Sequence, residues 1–374
     1  MARFLQLHLL TAYPPSNLNR DDLGRPKTAI VGGATRLRVS SQSLKRHWRT
    51  SELFQNALRG SLGDRTKDLG PRVLAALTER GLDAKTAEAA TQAIAKVFGK
   101  PKGKKDRFAH ETLVFYDPAE IAAVDALVAT LAEQDRVPTS DELDLLSRTR
   151  AVDIGMFGRM LADSSRHNTD AAVQVAHAFT VHEARVEEDY YTAMDDASDD
   201  RLDFFAAADA LGSERTRDDA GASHLDTAEF GAGVFYLYVC IDAASLVDNV
   251  GDAAIARTAA RTLTEAAATV APGGKQNSYA SRAYASYVLA EAGDRQPRSL
   301  MSSFLSPVTG TDPLHAAVQA LETTRAHMDR AYYGDDGLDA AVMNVPAGTG
   351  SLADVLDFVA AHVPEGDHVP DGDA

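Results

Sequence analysis

The chain has 374 residues, 45% of them apolar, with 54 Asp+Glu against 38 Lys+Arg for a formal charge of −16, and one cysteine. That apolar content is enough for a real core, and the length points to two or three compact units or one domain with large insertions. A single Cys240 excludes an internal disulfide framework and a Cys-based zinc cage. Its place in the apolar run 234–241 marks it as a buried small hydrophobe. The acidic total weighs against nucleic acid as a partner. No run approaches the roughly 18 apolar residues of a membrane span. Residues 4–10 are apolar but broken by Gln6 and His8 and followed by Tyr13-Pro14-Pro15, without a cleavage site, so a cytoplasmic protein is expected.

The distribution of charge says something different from its sum. Residues 1–110 hold 21 Lys/Arg against 9 Asp/Glu, a net of +12, and residues 111–374 hold 17 against 45, a net of −28. Asymmetry of this size fits a polyanion-binding face on an acidic body, or a basic surface that pairs with the acidic half.

In chain order, residues 4–10 read as a first strand, stopped by Pro14-Pro15. Residues 16–33 form a long loop rich in Asn, Asp, Gly and Arg, longer than ordinary connections. Residues 35–39 alternate like a second strand. Ser40 or Ser41 then caps a helix running through about Phe54. On it Gln42, Lys45, Arg46 and Arg49 fall at i, i+3, i+4 and i+7 and share one face, while Leu44 and Trp48 form an apolar stripe. Cations in the first two turns stand beside free backbone N–H groups and the positive end of the helix dipole, a design suited to phosphate. An ordinary solvated face has the same pattern.

Residues 55–150 read as a mainly helical insertion, with helices over 71–80, 85–98 and 119–133. Between the last two lies a basic loop, residues 100–107, which contains Lys102, Lys104 and Lys105 and suits either nucleic acid or solvent. Residues 151–160 read as a strand, and Val173, Val175, His177, Phe179 and Val181 alternate over another. His177 and His182 differ in parity, so a strand directs them to opposite faces and no metal is expected there. Residues 189–222 form an acidic protruding arm with a short helix at 204–211. Residues 224–230 lead into a long buried strand over 231–241. A helix over 253–270, a turn over 272–277, a strand over 278–289 and an amphipathic helix over 351–362 follow. Gly274-Lys275 lacks the flanking residues of a P-loop, and the acidic tail 364–374 is expected to fray.

Taken together, SNLNRDD (16–22), AIVGG (29–33), RVSSQSLKR (38–46), VDI and GRM (152–160), AHA (176–178), YTAMDD (191–196), SHL, EF and GVFY (223–236) and PGGKQ (272–276) make the chain resemble the CasC family. Members of that family are the backbone subunits of the type I-E CRISPR surveillance complex, Cascade. The likeness is colinear from residue 1 to about 290.

The resemblance implies an α+β fold with an RRM-like (ferredoxin-like) palm, a helical fingers insertion and a protruding thumb loop. The palm takes 1–54, 151–188 and 225–363, the fingers 55–150, the thumb 189–224, and the acidic tail 364–374. It implies a non-catalytic subunit without cofactor or metal that polymerises head-to-tail along CRISPR RNA and presents the guide to target DNA. Its partners are copies of itself and the large, small, 5′-capping and 3′-end-processing Cascade subunits, with no membrane. RNA-binding falls on Arg20, Lys27, Ser40, Gln42, Lys45, Arg46, Arg49 and Lys275. Met160, Tyr191, Thr192 and Met194 fall where the family's thumb flanks a flipped base, a place where apolar side chains replace lost stacking.

Two departures stand out. The stretch 196–223 is longer than a family thumb. The fingers region is acidic (Glu133, Asp135, Asp141, Glu142, Asp144), which leaves Lys102, Lys104 and Lys105 as the DNA contact. The competing reading is a metal-dependent RNA-cleaving subunit with Asp21 or Asp22 as the acid, against a structural turn at the same residues.

Overall fold

In the computed structural model, which describes residues 2–146, 150–161, 168–193, 224–334 and 337–365, the fold is organised around the first strand, β1 (Phe4–Ser16). Residues 5–11 are all buried, because both faces of the strand are covered. Leu5, Leu7 and Leu9 point to one face, while Gln6, His8 and Leu10 fall on the other by strand alternation. The strand pairs antiparallel with β10 (Ala285–Gly293) on one side and with the long β9 (His224–Asp242) on the other.

The nine-stranded sheet is completed by β2 (Thr28–Val31), β3 (Ala34–Val39), β6 (Val173–Val175), β7 (Ala178–Thr180), β8 (Glu187–Ala193) and β11 (Asp339–Asn344). Its order is β11-β10-β1-β9-β7-β3-β2, with β6 and β8 pairing other stretches of β9. One face is covered by α1 (Ser41–Arg49), α2 (Glu52–Ala57), α7 (Val152–Phe157), α8 (Ala243–Val250), α9 (Ala253–Thr269) and α12 (Leu352–Ala361). The opposite face is covered by α11 (Pro313–Tyr332) and the turn Met301–Phe304.

A second core lies outside this sheet. It is built from α3 (Leu69–Glu79), α4 (Ala84–Val97), α5 (Pro118–Gln134), α6 (Ser140–Asp144) and the small sheet of β4 (Asp64–Thr66) with β5 (Val114–Tyr116). Leu77, Ile94, Phe98, Tyr116 and Leu131 are fully buried there. Each such side chain contributes roughly 1.5–3 kcal/mol, so this cluster has a core of its own.

Four departures from the sequence reading have physical causes. Residues 151–160 are not a strand: Val152–Phe157 is the helix α7, and Val152 through Met156 are all buried. A short segment buried on every side shows no period, so helix and strand look alike. The helix read through Phe54 is two, α1 and α2. Ser51 Oγ accepts from the Phe54 N–H at 3.2 Å and starts a new helix at the break. The strand read over 173–181 is also two, β6 and β7, which pair with different stretches of β9. The strand read over 278–289 begins only at Ala285, after a short helix, α10 (Gln276–Tyr279). Cys240 is buried as expected. The helix expected at 204–211 and Met194 lie outside the described residues, as does most of the acidic tail. Among the described residues no helix is long and apolar enough to cross a membrane.

Candidate nucleic-acid interface

The basic residues of the N-terminal segment converge because the 17–27 loop is tied to the start of α1. Asn17 is buried, and its Nδ2 donates to the carbonyls of Gly24 (3.0 Å) and Glu229 (2.9 Å). Asn19 Oδ1 accepts from the Ser40 N–H at 2.9 Å, and the Lys27 N–H donates to the Asn19 carbonyl at 2.8 Å. The Asn19 bonds hold the loop that carries Arg20 beside the helix that carries Arg46. Together with Leu18, Asn19, Asp21, Asp22, Gly24, Ser43, His47, Gly273 and Gly274 the two arginines line a cleft of about 570 Å³.

The far wall of this cleft is the Pro272–Lys275 turn. A Cβ on Gly274 would stand 2.5 Å from the carbonyl oxygens of Asn17 and Leu18, so only glycine lets the turn approach the loop this closely. Gln276 holds the turn from behind, with Nε2 donating to the Pro272 carbonyl at 3.0 Å and to Ser281 Oγ at 3.1 Å. Lys275 stands at the turn's end in the left-handed conformation, φ +46°.

The remaining cations of α1 differ in their surroundings. Gln42 and Arg46 are exposed. Lys45 is half-buried with its Nζ 5.3 Å from the Phe157 ring centroid, and burial pushes its ammonium pKa down. Arg49 is tied inward. Its Nη1 lies 3.5 Å from Asp153 Oδ2, and its guanidinium carbon is 4.8 Å from the Phe115 ring centroid. Asp153 is fully buried, and its Oδ1 accepts from the Gly63 N–H at 2.7 Å. Burial raises its pKa even against that bond and Arg49, so the arginine serves as counter-ion to an interior carboxylate. Ser40 is likewise committed, since its Oγ accepts from the Ser43 N–H as the cap of α1.

Lys27 lies outside the cleft's lining, beside Arg38, whose Nη1 donates to His177 Nδ1 at 2.9 Å. Burial, with Arg38 and Lys27 nearby, lowers the His177 pKa. His47 is a cleft-lining group that counting cations on one helix face misses. His47 adjoins Arg46 in sequence, and the Gly-Gly turn that packs on it reads in sequence only as an incomplete P-loop.

Asp21 closes a turn. Its Oδ1 accepts from the N–H groups of Leu23 and Arg25, both at 2.9 Å, which is the arrangement expected of a structural Asx turn. Among the described residues no His/Cys/Asp/Glu group of three or more is placed to hold a metal.

Two other predicted groups lie elsewhere. Met160 is 85% exposed, an unusual position for a methionine. It follows Gly158 (φ +79°) and Arg159, whose guanidinium is buried against Glu120 Oε2 at 2.7 Å, so the exposed side chain projects from a fixed base. Tyr191 and Thr192 lie on β8, paired in register with Asp226 and Leu225 of β9. In the basic loop Lys102 and Lys105 are exposed, and Lys104 Nζ meets Glu88 Oε1 at 2.5 Å.

The family described as CT1975-like protein, a CRISPR-associated group, matches this chain over residues 5–202 and 197–357. The chain belongs to that family. None of the curated proteins matches it. Two solved structures resemble it over nearly their whole length. A chain of a "CRISPR RNA-guided surveillance complex, pre-nicking" is 31% identical with a TM-score of 0.80, covering 96% of this chain and 100% of that one. A chain of a "CRISPR RNA-guided surveillance complex" is 26% identical with a TM-score of 0.71, covering 96% and 99%. In this CT1975-like chain the matched length takes in both the sheet and the second core, and so every group that lines the cleft.

Proposed function

We propose that the chain is a guide-RNA-binding backbone subunit of a Cascade-type, RNA-guided surveillance complex, of the CasC kind. The observation that carries this reading is a coincidence of two independent results. A full-length match to a chain of an RNA-guided complex falls on a protein in which Arg20 and Arg46 line one cleft between α1, the 17–27 loop and the Gly273–Gly274 turn. On this reading the nine-stranded sheet is an RRM-like palm, the 55–150 helices are fingers and the β8–β9 ribbon is the base of a thumb. Arg20, Lys27, Gln42, Lys45, Arg46 and Lys275 hold guide phosphates, with Arg bonding them bidentately and Lys adding a point charge.

Phosphate contacts position a strand without reading its sequence, as a protein holding any spacer requires. Met160, on its fixed base, offers an apolar face to an unstacked nucleotide. Copies stack head-to-tail along the guide, and neighbouring Cascade subunits cap the row. The subunit is non-catalytic. The turn engages Asp21 Oδ1, which supports a structural role for that residue over the acid of the cleaving alternative.

Co-expression with a CRISPR array, followed by sequencing of the RNA that co-purifies, tests the reading. Guide-length CRISPR RNA is the expected result. Random cellular RNA, or none, overturns it.

A further inference from the structure

Among the groups that line the cleft, His47 is the imidazole, set among the Arg20 and Arg46 cations and the Asp21 and Asp22 carboxylates. His47 sits on α1 next to Arg46, and both line the cleft. Its Nδ1 lies 2.7 Å from the Ser43 carbonyl oxygen. A carbonyl only accepts, so Nδ1 carries a proton, and in the neutral form of the ring Nε2 is then a lone-pair acceptor. Nε2 has no partner among the described residues. It faces the Gly273 backbone, where an added Cβ would stand 3.1 Å from Nε2 and 3.3 Å from Cδ2. The glycine therefore leaves this acceptor uncovered at the wall of a cleft whose arginines supply only donors.

We infer that His47 Nε2 is a ribose-reading group, accepting a hydrogen bond from a nucleotide 2′-hydroxyl whose phosphate is held by Arg20 and Arg46. This deepens the guide-RNA reading and rests on it. The 2′-hydroxyl is the donor that distinguishes RNA from DNA at a given site, and a cationic cleft alone attracts both. An acceptor fixed in one tautomer by its own helix turns phosphate binding into a preference for RNA. Such a device is useful to a protein whose guide must stay bound while a DNA strand of similar charge passes nearby.

The test measures affinity of the full chain for single strands of one mixed sequence as RNA, as DNA and as 2′-O-methyl RNA, which keeps the oxygen but loses the donor. The unaltered protein is expected to prefer RNA to both of the others. His47→Phe, which keeps the ring's shape, lowers RNA affinity about 5- to 10-fold, the size of one lost hydrogen bond, and leaves DNA affinity unchanged. Gly273→Ala, which places a methyl group over Nε2, does the same without altering the histidine. His47→Gln, whose amide oxygen can accept, restores part of the preference. If RNA and DNA affinity fall together, or the preference survives both His47→Phe and Gly273→Ala, the ribose-reading role is wrong while the RNA-binding reading stands. If the unaltered protein binds neither RNA nor DNA, both are wrong.

Discussion

The chain has two basic segments of similar sequence character, the 20–49 stretch and the 100–107 loop, and the structure treats them in opposite ways. In the first, Asn19 ties the loop to the cap of the helix, so that Arg20, Arg46 and His47 line one cleft. In the second, cations are spread over an exposed turn and partly paired with acids, Lys100 with Glu111 at 3.1 Å and Lys104 with Glu88. Exposed pairs of that kind are worth little, about 0–1 kcal/mol. Density of positive charge does not make a site; convergence on a shaped wall does.

The sharpest way to break the comparison lies inside the first segment, at a cation that belongs to the core rather than to the cleft. Arg49→Met leaves the buried Asp153 with only its backbone bond. Removing one partner of a buried pair costs about 3 kcal/mol, somewhat less where the surviving group can protonate. Urea unfolding followed by circular dichroism should show that loss, and weaker RNA binding should follow from it. If stability is unchanged, Arg49 is as free as Arg46 and belongs with the phosphate ligands. A variant that reverses Lys45 and Arg49 together would therefore be a poor probe of binding, because half of its effect is on the fold.

Equal charge changes in the two segments give the second contrast. Arg20→Glu with Arg46→Glu should lower RNA affinity by about 100-fold or more at moderate salt. The same change should flatten the plot of log affinity against log salt by a slope of roughly 1.4, the share of two phosphates on a single strand. Lys102→Glu with Lys105→Glu should change affinity no more than about 2-fold, a long-range effect screened by salt. Both pairs are exposed, so unfolding midpoints should stay near the unaltered value. Similar losses from the two double variants would show that the protein responds to total charge, and the cleft would lose its special place.

Much of this was legible in the sequence, and the reasons for the rest are local. Residues 4–10 and 231–241 read correctly as strands because apolar residues dominate both stretches, although the first strand runs on through Pro14-Pro15, which were expected to stop it, to Ser16. The start of α1 was readable from its serines. The helix Val152–Phe157 was not, because Val152 through Met156 are buried on every side and show no polar face. α11 carries a readable start signal in its own residues: Asp312 caps it, accepting from the His315 N–H at 3.0 Å, with Pro313 in the first turn. For the site, spacing identified the row Gln42, Lys45, Arg46 and Arg49. It could not separate Arg46, which is exposed, from Arg49, whose carboxylate partner lies 104 residues away. Long-range pairing decides which cations are available, and no periodicity encodes it.

Lys45 stands between these extremes and sharpens the comparison by pH. Burial disfavours its charged form and lowers its pKa from the ordinary 10.5. The neutral amine no longer attracts phosphate, so binding that depends on Lys45 is complete at low pH and is lost as pH rises through the lowered value. Arginine at this position keeps its charge throughout. RNA affinity of the unaltered protein should thus fall as pH rises through the lowered value, ahead of the titration of ordinary lysines. Lys45→Arg should flatten that stretch of the profile while leaving affinity at neutral pH nearly unchanged. The direction for stability is separate and follows the same sign: with the folded pKa depressed, the unfolded chain binds the proton more tightly. Stability therefore rises with pH from the folded value of Lys45 up to 10.5. Binding weakens where the fold gains, so a profile in which both decline together would mean that the loss of affinity comes from unfolding and not from the cleft.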